Sequence, residues 1–117
     1  LNEPISVSFE LSYAEAVRYG LSALGMQISN VVSDYLSKKY NVTLKDTYKN
    51  PKLLTEALEK SLAYGAVIVE TRIIRYLSSQ LSAPLDNQPS IRIGHPEDFE
   101  RYIYELVANP QISKIQH

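Results

Sequence analysis

The chain of 117 residues has no cysteine and no tryptophan, only two histidines and one methionine, and four glycines that never cluster. Without cysteine there is no disulfide, no thiolate nucleophile and no thiolate-ligated metal. The two histidines, His95 and His117, stand outside any serine–histidine–acid or cysteine–histidine set, so nucleophilic catalysis has no framework and no catalytic residue is assigned. The scattered glycines exclude a glycine-rich phosphate loop. Neither sign of charge dominates: twelve Lys and Arg stand against thirteen Asp and Glu, a net charge of −1, which makes no field for nucleic acid or an anionic membrane. The longest apolar run, 65–69, is far too short to span a bilayer. With no secretory signal in view, the expectation is a cytoplasmic, membrane-free, single-domain protein that needs no cofactor or metal.

What the chain does have is helical periodicity. Val17, Leu21, Leu24, Ile28, Val31 and Tyr35 follow one another in steps of four and three, the seam of a helix that lies against other helices. Ser12 followed by Glu15 matches a capping box, so this first helix is expected over 12–40 as one long element. Gly20 and Gly25 interrupt it, and the apolar seam favours close helix approach over a bend as their role. Before it, Ile5, Val7, Phe9 and Leu11 alternate with polar residues, which reads as a strand or as a tail resting on the helices. After a polar connection at 40–49, Asn50-Pro51 opens a second helix over 51–62 with Leu54, Ala57, Leu58 and Leu62 inside. Gly65 marks the break before a third, over about 64–81. Val67, Ile74, Leu77 and Leu81 mark its inner face, Val69 and Ile73 widen that face well beyond a stripe, as in a central helix or one that contacts a second subunit, and Ala83-Pro84 ends it. The segment 86–94 is a loop or short strand, with Ile91 and Ile93 flanking Arg92. A fourth helix spans 95–109 with an inner face of Phe99, Tyr102, Ile103, Leu106 and Val107, and 110–117 is a tail. The expected fold is mainly α: four helices in a bundle-like domain, with at most a two-stranded element pairing 5–11 with 90–93.

The middle of this pattern resembles a known family. Leu24-Gly25 inside a long helix, Tyr35-Leu36, Lys38-Lys39-Tyr40-Asn41-Val42, Asn50-Pro51 with Leu54 and Ala57-Leu58, Gly65-Ala66, and Ile73-Ile74 with Leu77 are similar to the Nitrosopumilus output domain family, a small archaeal helical domain of unknown function. The similarity covers 12–85. It implies an interaction or output role downstream of signalling modules, and it brings no catalytic or ligand residue with it.

Four groups of residues are candidates for function. Leu21, Leu24, Ile28, Ile73 and Leu77 are packing or self-association residues, and with nine tyrosines they point to a homodimer through the first and third helices. Lys38, Lys39, Lys45, Lys49 and Lys52, interleaved with Tyr40 and Tyr48, are the candidate nucleic-acid contacts, since lysines meet phosphates and tyrosines stack on bases. Glu70 falls near the apolar sector of the third helix, where a buried carboxylate needs a partner or a shifted pKa; Arg18 is the candidate partner. The pairs Glu56/Glu59 and Glu97/Glu100 lack the histidines of a helical di-metal site and read as solvated faces. His95, before Pro96, reads as a cap or surface residue. The leading functional expectation is a non-enzymatic interaction module that self-associates through apolar helix faces. The alternatives are a nucleic-acid-binding adaptor using 38–52 and a small-ligand sensor with a pocket between helices.

Overall fold

A computed structural model describes residues 4–80 and 90–108. Leu81, the Ala83-Pro84 stop, the first part of the 86–94 loop and the 110–117 tail lie outside the described residues. Within them the protein is mainly helical: α1 (Pro4–Ser22), α2 (Met26–Tyr40), a 3-10 helix (Leu44–Lys49), α3 (Pro51–Leu62), a 3-10 turn (Ala63–Gly65), α4 (Ala66–Ser79) and α5 (Glu97–Ala108). There is no strand among them, and no described helix is long and apolar enough to cross a membrane.

Two expectations at the start of the chain are corrected. The alternation at 5–11 does not make a strand, because the same stretch also belongs to a helical series. Phe9, Tyr13, Ala16, Val17, Gly20 and Leu21 lie on one buried face of α1, while Leu11 is 60% exposed. A strand needs a partner, and 90–93 is irregular. Ser12, expected as a helix cap, is buried in the interior of α1.

The single helix expected over 12–40 is two helices. The break falls at Gly25, whose φ of 97° is a conformation that L side chains rarely adopt. Crossing it shifts the inner face. Val32 and Leu36 of α2 are fully buried, whereas Val31 of the expected seam is 49% exposed and Leu24, Ile28 and Tyr35 are half-buried. Gly20, by contrast, does let another helix approach. A Cβ there would lie 2.8 Å from Ile73 Cγ1 and 3.0 Å from the Val69 carbonyl, so α1 and α4 meet nearly backbone to backbone. The end of α1 is fastened at the same contact. The carbonyl of Tyr19, one of the last carbonyls of the helix, accepts from Arg72 Nε at 3.3 Å and Nη2 at 3.1 Å, placing a cation at the negative helix end.

The remaining elements follow their local signals. Asn41, in the left-handed conformation, closes α2 with its N–H on the Ser37 carbonyl. The connection expected to be merely polar is a packed 3-10 helix: Thr47 and Tyr48 are buried, and Phe9, Tyr13 and Tyr48 form a cluster with ring centroids 5.6–5.9 Å apart. Thr47 donates to the Leu44 carbonyl, so the buried Tyr13 hydroxyl donates to Thr47 Oγ1 at 2.8 Å. Pro51 opens α3 as expected. Gly65 does not make the next turn, since its backbone is ordinary. Ala63 makes it, at φ 51°, ψ −121°.

Candidate functional site: the cleft over Glu70

α4 carries Ala66, Val69, Glu70, Ile73, Ile74 and Leu77 in its buried set, so a carboxyl is seated among aliphatic side chains. Glu70 is 1% exposed and its Oε2 has no hydrogen-bond partner. Arg18 does not supply one: it is exposed on α1 and lines a separate hollow with Ala14, Val17 and Ser29. The charged groups that act on Glu70 are instead two more acids, Glu59 of α3 and Glu100 of α5. Burial first, and then the repulsion of these two carboxylates, push its pKa up to about 8.

Glu70 opens onto a cleft of about 490 Å³, within the range of small-molecule sites. Three pieces of chain enclose it. Glu59 comes from α3; Ala63, Tyr64, Ala66 and Val67 come from the turn and first coil of α4; Ile93, Gly94, His95 and Pro96 come from the segment before α5. That segment is irregular yet firmly held. Asp98, buried at the start of α5, accepts from the Arg92 amide at 3.0 Å and from its guanidinium at two points, each 2.9 Å. This bidentate clamp holds the Asp98 carboxyl far below the usual carboxylate range. The loop so drawn in turns at Gly94, φ 82°, and Ile93 stands 67% exposed at the rim beside Tyr64, which is 83% exposed. Ala63, Ala66 and Gly94 are small residues in the lining of the cleft.

His95, read from sequence as a cap or surface residue, lines the cleft and pairs with Glu97 at 2.8 Å. Among the described residues, no Lys or Arg lines the cleft and no group of three His, Cys, Asp or Glu is arranged to hold a metal. Glu59, Ala63, Tyr64, Ile93 and Gly94 were not legible as site residues. The one signal was Glu70 itself, a carboxylate out of place in an apolar sector.

The other sequence candidates lie elsewhere. Leu21, Ile73 and Leu77 are buried within the protomer, and Leu24 and Ile28 are half-buried at the α1–α2 corner. Lys38, Lys39, Lys45, Lys49 and Lys52 are exposed, but their aromatic neighbours are engaged. Glu56 accepts from Tyr35 at 2.6 Å, from Tyr40 at 2.7 Å and from Lys39 at 2.9 Å, a hub that joins α2 to α3. These donors, Tyr35 foremost, hold the Glu56 carboxyl down to about 2. Tyr48 is buried, its hydroxyl on Glu10, with Lys49 across its ring face. Tyr48 is therefore not free to stack on a base, and the Tyr40 hydroxyl is committed to Glu56. Glu100, expected on a solvated face, accepts from the buried Thr55 at 2.8 Å. Comparison with protein-family models, with curated proteins and with solved structures gave no match, so the cleft's own chemistry carries the functional reading.

Proposed function

We propose that this chain is a non-enzymatic, cytoplasmic small-ligand-binding module whose ligand sits in the cleft over Glu70. The observation that carries the reading is a buried carboxyl with an unsatisfied oxygen in the lining of an open cleft. An unpaired buried polar atom costs about 1–3 kcal/mol, and a ligand that pairs with it recovers that cost. A strained alanine points the same way, since Ala63 holds a positive φ at the cleft wall and such residues gather at binding sites. The resemblance to an archaeal output domain suits a module of this kind, in which ligand occupancy would be passed to a neighbouring signalling domain. A fragment screen followed by amide NMR tests the reading. Hits move the resonances of Val67, Tyr64 and Ile93, and Val67→Phe, which fills the cavity, abolishes them. Hits that ignore Val67→Phe overturn it.

Self-association is the second reading, and it would have to use other residues than the buried Leu21, Ile73 and Leu77. Tyr64, Ile68 and Ile93 are the large exposed apolar side chains nearest the cleft, and a second copy seated there would cover its mouth. Light scattering over a concentration series separates the two: a persistent dimer broken by Ile68→Glu favours the interface, and a monomer at all concentrations removes it. Nucleic-acid binding through 38–52 predicts an affinity that falls steeply with salt and is lost when Lys38, Lys39 and Lys45 become Ala.

A further inference from the structure

We propose that the Glu70 cleft selects an organic ammonium ion carried on a compact apolar body, and rejects the matching alcohol and the matching amino acid. The inference rests on the cleft being a ligand site, and it names the class of ligand. Among the described residues, the ionised groups that act on the buried carboxyl are both carboxylates, Glu59 from α3 and Glu100 from α5. The remaining titratable groups at the cleft are His95, which already has Glu97 at 2.8 Å, and Tyr64 at the rim. No Lys or Arg among the described residues enters. A ligand that brings a cation finds Glu59 and Glu70 in the lining, the charge of Glu100 acting from α5, and an unpaired Oε2 to accept its N–H. Its apolar body meets Ala66, Val67 and Ile93, and the exposed Tyr64 ring offers a cation–π face at the mouth. A second carboxylate on the ligand would face the same acids and be repelled, which separates an amine from its parent amino acid.

The chemistry is proton-linked. Empty, the site keeps Glu70 protonated at neutral pH, because burial and its two acidic neighbours oppose ionisation. An ammonium ion reverses that balance, so binding releases the Glu70 proton to solvent and leaves a carboxylate–ammonium pair. Affinity therefore rises with pH until Glu70 ionises unaided, at about 8.

The test uses three probes of similar size on the full chain: 2-phenylethylammonium, 2-phenylethanol and phenylalanine, followed by amide NMR at about pH 6 and about pH 8. The expected result is binding of the ammonium alone, with shifts at Val67 and Ile93. It tightens about fiftyfold between the two pH values and weakens about tenfold or more in Glu70→Gln. A dispersed Glu70→Gln spectrum shows that variant folded, and Val67→Phe, which leaves the carboxyl intact, serves as a second block. Equal binding of the alcohol, binding of phenylalanine, or binding unchanged in Glu70→Gln overturns the ammonium inference while the cleft stands as a ligand site. No shift at the cleft with any probe or with the wider fragment screen overturns both.

Discussion

Where α4 meets α1, Gly20 lets Ile73 and Val69 press against the backbone, and Arg72 and Tyr76 tie the edge by hydrogen bonds to Tyr19 and Glu15. Where the same helix faces α3 and the 93–96 segment, Ala63, Ala66 and Gly94 leave about 490 Å³ unfilled above a buried acid. Both contacts use small residues, to opposite ends. On the first side the missing side chain is replaced by the neighbouring helix. On the second no described side chain replaces it. A small residue in sequence thus specifies only an absence of volume, and the surrounding elements decide whether that absence becomes contact or cavity. The glutamates repeat the contrast. Glu56 collects three donors at the surface and ionises readily, while Glu70 collects none for its Oε2 and resists ionisation.

The comparison breaks most directly by truncation on both sides of α4. Ile73→Ala, in the closed contact, is expected to cost about 3 kcal/mol in denaturant unfolding, and Val67→Ala, at the open one, less than about 1 kcal/mol. Equal costs would show the cleft to be packed in solution. Glu70→Gln comes next. The native carboxyl holds its proton up to about 8 while the unfolded one loses it above 4.5. Stability therefore falls as pH rises through that window, by up to about 1.4 kcal/mol per unit. The variant is expected to match the parent near pH 4 and to exceed it by about 4 kcal/mol at pH 8, read from urea midpoints. Gly20→Ala gains helix propensity but pushes a methyl into Ile73 and the Val69 carbonyl, for a net loss of about 1–2 kcal/mol. Ala63→Gly has the opposite sign: relieving the positive φ at the cleft wall stabilises by about 1 kcal/mol, visible as a raised thermal midpoint. Glu56→Gln has the smallest effect, about 0.5 kcal/mol, since the pair it breaks is solvent-exposed. The Glu56 contribution is present above 4.5 and is lost as pH falls through about 2.

Much of the fold is legible in the order of residues. Asn50-Pro51 announces α3, the wide apolar face of 66–79 announces a central helix, and Phe99, Tyr102, Ile103 and Leu106 announce α5. Three local signals mislead for one shared reason, that a local pattern fits more than one structure. The alternation at 5–11 coexists with a helical series through Phe9, Tyr13 and Val17, and the longer series wins because α4 and the 44–49 helix bury it. Gly20 and Gly25 look alike in sequence, yet one admits a neighbouring helix and the other turns the chain. Gly65 is the expected break after α3, yet it is Ala63 that takes the positive φ there.

By itself, the order of apolar and polar residues determined that this protein is helical and where α3, α4 and α5 run, because a helix repeat is a property of neighbours in the chain. It also marked Glu70 as misplaced among aliphatic residues. Tertiary structure alone decided that Glu70 has Glu59 and Glu100 for neighbours in place of Arg18, and that a cavity stands open above it. Charge and volume at that point are summed over three elements distant in sequence, and no local pattern carries such a sum.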